Sequence, residues 1–147
     1  MEKESRSVQT AHRIFYTLSY IEGAVTGTYL GLVINRLGEI SPIYSGIQVL
    51  GGVFMTATGI VLSKVIGDKL GEYAVFLMEK YDEDIIGQEV SIEDKIICGQ
   101  MAFNAKLGEI CLKRIGKFLQ AAGVSLIITG LIKFDFITRL NPELFYR

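Results

Sequence analysis

Residues 40–63, ISPIYSGIQVLGGVFMTATGIVLS, run for 24 positions without a charge between Glu39 and Lys64. As a helix rising about 1.5 Å per residue, such a run is about 36 Å long, enough to cross the hydrocarbon of a bilayer. A helix in a water-soluble core seldom needs so long an uncharged stretch, so this segment points to lipid as the surrounding solvent. Two weaker apolar stretches flank it. Ile14 to Asn35 is broken by Glu22 alone, and Phe118 to Ile132 is followed by Lys133 and Asp135. The sequence therefore predicts an all-α integral membrane protein, one domain over residues 1–147, with spans at about 14–37, 42–66 and 117–138. The polar region between the last two spans, residues 68–116, is expected to consist of amphipathic helices.

Stop and start signals set the connections. Gly38, after Arg36-Leu37, suits the left-handed position that ends a helix, and Ser41-Pro42 follows as N-cap and first helical residue. So short a connection predicts that the first two spans form an antiparallel helical hairpin. Asn141-Pro142 stops the third. In the central region Leu70, Tyr73, Ala74, Leu77, Met78 and Tyr81 make an apolar stripe at helical spacing, as a simple continuation of the second span would. A second stretch starts at Ser91 as N-cap, with Glu93 and Asp94 in its first turn and Ile92, Ile96, Phe103, Leu107 and Ile110 as its apolar positions. Such helices lie on a membrane surface, pack on a partner or form a small cap. Arg36-Leu-Gly-Glu-Ile40 recurs as Lys106-Leu-Gly-Glu-Ile110, a hint of two related hairpins.

Composition narrows the function. Half of the residues are apolar and 21% are charged, with a net charge of −1, so no basic face is available for nucleic acid. The polar start, Met-Glu-Lys-Glu-Ser-Arg, and the lack of a small-residue cleavage site predict that the first segment stays as an anchor. Lys3, Arg6, Arg13 and the eight basic residues from Lys64 to Lys117 fall on one side of a three-span arrangement, against Arg36, Lys133, Arg139 and Arg147 on the other. The positive-inside bias then puts the N-terminus and the central region on the cytoplasmic or equivalent side. Cys98 and Cys111 fall 13 residues apart on one predicted helix, about 20 Å along its axis, too far to bridge.

Three groups of residues are candidates for function. Gly23, Gly27 and Gly31 strip one helix face to backbone, and Gly52 and Gly59 do the same on the second span with Ser45, Thr56 and Ser63. Gly27 and Gly52 lie at similar depth from the turn, so the two stripes are expected to pack on each other within the hairpin; packing between subunits is the alternative. Glu22 falls about 12 Å into the first span, near the bilayer midplane, with Ser19, Thr26 and Tyr29 nearby as a polar strip suited to a cation or a proton. The bland reading is a protonated or hydrogen-bonded carboxylate, or one at the interface. Asp82, Asp84, Gly87 and Glu93 match positions 1, 3, 6 and 12 of a calcium loop, but Ile86 occupies position 5, where an oxygen ligand belongs.

His12 is the single histidine, which excludes bis-histidine haem ligation and a Ser-His-Asp triad within the chain, and there is no phosphate-binding or dinucleotide fingerprint. No cofactor, metal site or enzyme activity is expected. The reading is a structural or accessory subunit of a larger membrane assembly, with lipid and other membrane subunits or copies of itself as partners. A homo-oligomeric ion or proton channel or transporter using Glu22 is the first alternative, and a soluble helical bundle the second.

Overall fold

The computed structural model describes the backbone of residues 6–37, 42–87 and 92–140, all of it helical, with no strand among them. Helix α1 covers Arg6–Leu37 and α2 covers Pro42–Ile60. A π-helical segment, Val61–Ile66, joins α2 without a break to α3, Gly67–Gly87. Helix α4 covers Ile92–Leu140. At about 1.5 Å per residue, the rod from Pro42 to Gly87 is about 69 Å long and α4 about 73 Å, each more than twice the thickness of bilayer hydrocarbon. Pro42 opens its helix as its sequence predicts, and α1 ends at Leu37, just before Gly38. Residues 38–41 and Asn141-Pro142 lie outside the described residues.

The central region is not a separate element. Helix α3 continues the second predicted span, and the first half of α4 runs straight into the third, so residues 68–87 and 92–116 form an antiparallel helical pair at one end of the molecule. Among the described residues two stretches, Ile43–Glu79 and Glu93–Asp135, are long and apolar enough to cross a membrane. The predicted first span, 14–37, is not one of them, because Glu22, three tyrosines, three threonines and three glycines dilute its apolar residues. The matched pentapeptides also part company: Arg36-Leu37 closes α1, whereas Lys106 to Ile110 sits in the middle of α4.

Helix α4 is the centre of the fold. It packs against α1, α2, the π segment and α3, whereas α1 and α2, consecutive in the chain, barely touch. The glycine stripes of the first two spans therefore do not pack on each other as expected; each meets α4. A methyl group built on Gly27 would come within 2.7 Å of Cα of Ala122, and one on Gly23 within 3.0 Å of Cα of Phe118. Gly31 faces the Thr129 side chain. Residue numbers rise together along this contact, so α1 and α4 are parallel. Against α2 they run in opposite senses: Gly52 meets Gly123, Gly59 meets Gly116, and Gly130 meets Val49 and Ser45.

The spacing explains why α4 is the better partner. Gly116, Gly123 and Gly130 recur every seven residues, and so do Ser45, Gly52 and Gly59 on α2. Two heptad rows of small residues keep facing each other over their whole length, which a single short motif does not. Beyond Gly59 the buried small positions come every four residues: Ser63, Gly67 and Gly71. In a regular α-helix three such steps drift by about 120° around the axis. The wider turn of the π segment absorbs that drift and keeps the face toward α4.

The interior is made of small residues. The buried apolar side chains are Ala74, Leu77, Ala102, Ala105, Ala122 and Leu126, and the buried polar ones include Ser19, Ser45 and Ser63. The large apolar side chains point outward on all three rods, among them Val25, Leu50, Phe54 and Ile132, the last at 64% exposure.

Candidate functional site

A collar of charged and aromatic side chains joins α1, the π segment and α4 where the uncharged run of the second rod ends at Ser63. Lys117 Nζ lies 4.8 Å from the ring centroid of Tyr16 and 5.2 Å from that of Tyr20, and the Arg114 guanidinium stacks 4.3 Å over Phe15. Partly exposed cations over aromatic faces contribute about 0.5–1 kcal/mol each. Gln120 Nε2 donates to Ser63 Oγ at 2.9 Å, and the Tyr20 hydroxyl donates to Gln120 Oε1 at 3.5 Å, which ties α1, the π segment and α4 together. Between these helices lies a recess of about 310 Å³ lined by Tyr16, Tyr20, Ser63, Lys64, Asp68, Lys113, Lys117 and Gln120.

Below the recess α3 and α4 are fastened by a chain of charges. Lys113 Nζ lies 2.7 Å from Asp68 Oδ1 and 2.7 Å from Glu109 Oε1, and Lys106 Nζ lies 2.8 Å from Glu109 Oε2. Glu109 is buried because Gly71 of α3 lies flat against its carboxyl group. Burial alone raises a carboxyl pKa, but the bonds from Lys106 and Lys113 outweigh it and hold Glu109 below the ordinary range. Burial also opposes the charge on Lys113, and the bonds from Asp68 and Glu109 overcome that and raise it. Sequence alone marks Glu109 as one more solvated acid; the signal that identifies it is the lysines at i−3 and i+4.

At the opposite end of the apolar zone a polar cluster joins all three rods. Gln48, almost fully buried, donates to Thr129 Oγ1 at 2.8 Å and to the Leu126 carbonyl at 3.3 Å. Asn35 donates to the Thr129 carbonyl at 3.5 Å, and Lys133 donates to the Asn35 carbonyl at 3.5 Å.

Glu22 sits elsewhere than expected. The parallel register of Gly23 with Phe118 places it beside the last charged turn before the apolar stretch of α4, level with the collar and not with the middle of the apolar zone. It accepts a 3.4 Å ion pair from Arg114, with both side chains about half exposed. The proposed polar strip is divided as well: Ser19 is fully buried and donates to the Phe15 carbonyl, while Glu22, Thr26 and Tyr29 lie on the outer surface of α1. An exposed pair of this kind contributes at most about 1 kcal/mol. Glu22→Gln is expected to leave the melting temperature nearly unchanged, by circular dichroism in detergent.

The calcium pattern falls largely outside the described side chains. Asp82 and Asp84 belong to the helical backbone of α3, so the first half of the required loop is helix; their side chains, and Ser91, lie outside the described ones. Glu93 stands in the first turn of α4. Among the described residues no group of three histidine, cysteine or carboxylate side chains is placed to hold a metal ion, and Cys98 and Cys111 are free.

Beyond the collar both helices expose large apolar side chains. On α3 these are Tyr73, Val75, Phe76 and Met78, and on α4 they include Ile96, Met101, Phe103 and Leu107. Comparison with protein-family models, with curated proteins and with solved structures gives no match.

Proposed function

We propose that the chain is a structural or accessory subunit of a membrane assembly. Three helices cross the bilayer, and α3 with the first half of α4 projects on the cytoplasmic side as a docking hairpin. Lipid as solvent is supported by the inverted distribution of side chains. Small residues fill the interior and large apolar ones face outward, the pattern of helices packed in hydrocarbon, where close backbone approach replaces a solvent-driven force. Only 17% and 28% of the most apolar stretches of the two long rods are buried within the chain, against the soluble-bundle reading. Sidedness rests on charge: the parallel packing of α1 and α4 brings the basic N-terminal part of α1 to the same end as Lys64, Lys113, Arg114 and Lys117, as the positive-inside bias requires.

The observation that carries the docking role is the apolar surface beyond the collar. Phe76 is 56% exposed and Phe103 64%, on a stretch where charged residues interrupt the helices too often for burial in lipid. A surface of that kind is covered by protein. A photo-crosslinking amino acid at Phe76 or Phe103 is therefore expected to capture a defined protein, either another subunit or a second copy, from intact membranes. At Leu50, which faces outward within the uncharged run, it is expected to label lipid. Capture of lipid at all three positions, or of nothing at Phe76 and Phe103, contradicts the docking role.

A further inference from the structure

We propose that the recess between α1, the π segment and α4 binds the phosphate of an anionic phospholipid headgroup. The inference rests on the membrane reading for the depth of the recess and on its own geometry for its chemistry.

The lining supplies what a phosphate monoanion needs. Lys64 and Lys117 have no carboxylate within 4 Å among the described residues, whereas the third lysine, Lys113, is already neutralised by Asp68 and Glu109. Two unneutralised ammonium groups thus flank the cavity, so it carries surplus positive charge. Tyr16 completes the polar lining, whereas the Tyr20 and Ser63 hydroxyls already donate to Gln120 Oε1 and to the Ile60 carbonyl, which leaves the two ammonium groups as the anion's main partners. Lys117 is held over the two tyrosine rings, which costs it rotamer freedom before any ligand arrives and lowers the entropy lost on binding. The volume of about 310 Å³ accommodates a headgroup but not a whole lipid.

Position argues for a lipid as the source of the phosphate. Lys64 is the first charge after the uncharged run, and Lys117 is the last charge before the apolar stretch of α4 that begins at Phe118. Both stand at the level where phosphates of a leaflet lie when that run fills the hydrocarbon. Basic pockets between helices on this side, with tyrosines at the interface, are the general setting for anionic headgroups. The π segment gives the site its shape. Its wider turn keeps Ser63 against α4, where Gln120 donates to it, while Lys64 emerges into the recess.

The test is thermal melting of the purified chain in a neutral detergent, titrated with phosphatidylglycerol, phosphatidylcholine or inorganic phosphate. Phosphatidylglycerol is expected to raise the melting temperature saturably and phosphatidylcholine to leave it unchanged. Lys64→Gln with Lys117→Gln should weaken the apparent affinity about 30-fold, while Lys69→Gln, exposed and outside the recess, leaves it as it was. The wild-type response should also fall as salt rises, a readout that needs no variant. Equal responses to the two lipids, or an unchanged response in the double variant, overturn the proposal. A saturating response to inorganic phosphate that matches phosphatidylglycerol and is lost in the double variant replaces the lipid by free phosphate and overturns the headgroup assignment. Carbonate extraction tests the membrane reading separately: release of the chain without detergent removes that reading, and phosphate binding through Lys64 and Lys117 in the released protein would then stand as the free-ion site.

Discussion

Gly123→Ala is expected to destabilise the bundle by about 2–3 kcal/mol, whereas Gly51→Ala, one helix away and chemically the same change, should stabilise it by up to about 1 kcal/mol. A methyl group on Gly123 would lie 2.7 Å from the backbone nitrogen of Thr56 and closer still to the Gly52 carbonyl. These are backbone atoms of a rod that also touches α4 at Gly59 and Gly71, so they cannot move aside without opening the whole contact. Gly51 has nothing within 4 Å of the same position, and there alanine simply restores helix propensity. For a chain of this size the Gly123 variant should lose on the order of 10 °C in melting temperature. Opposite signs for one substitution separate backbone packing from a general effect of glycine. Equal shifts at both positions would mean that α2 and α4 are not in contact.

The second large effect falls on the α3–α4 pair. Glu109→Gln keeps the shape of the side chain and removes its charge, leaving Lys106 without its partner and Lys113 with Asp68 alone. Loss of these charge-assisted bonds should cost about 2 kcal/mol. The pH dependence has two limbs. Because the folded state depresses the Glu109 pKa, its contribution is present above the ordinary carboxylate value and is lost as pH falls through the lowered one. Because folding raises Lys113, its contribution is present below the ordinary lysine value and is lost as pH rises through the raised one. The pair is therefore most stable between about pH 5 and pH 10. The protection of amides near Ala74 and Ala105 against hydrogen exchange, taken relative to their intrinsic rates at each pH, should be highest within that window and fall outside it, and Glu109→Gln should flatten the acid limb. Protection that ignores both the substitution and acid would remove Glu109 from its role as a fastener.

Much of the architecture was legible in the residues. The uncharged run, the proline at Pro42 and the apolar periodicity of Leu70 to Met78 mark the second rod, and the glycines at 23, 27 and 31 mark the buried face of α1. The partner of that face was not legible, because adjacency in the chain argues for α2, while the matching row, Gly116, Gly123 and Gly130, is spread over fifteen residues and looks unremarkable in any short window. The pairing of Glu22 was hidden by the same cause. Depth depends on the register between two helices, and counting from the start of one segment ignores Arg114, 92 residues away. Glu109 was missed because its burial depends on a missing side chain at Gly71 in another helix; the lysines at i−3 and i+4 mark its pairing but not that burial.

The order of synthesis gives the central place of α4 a biogenetic meaning. When the first two hydrophobic segments leave the ribosome they have almost no contact to make with each other, and the helix that joins them is made only after both. Nascent chains must therefore wait with bare glycine surfaces until α4 has been synthesised. A stop codon placed anywhere before Phe118 leaves those surfaces orphaned, so quality-control proteases, not partial function, should decide the fate of truncated products.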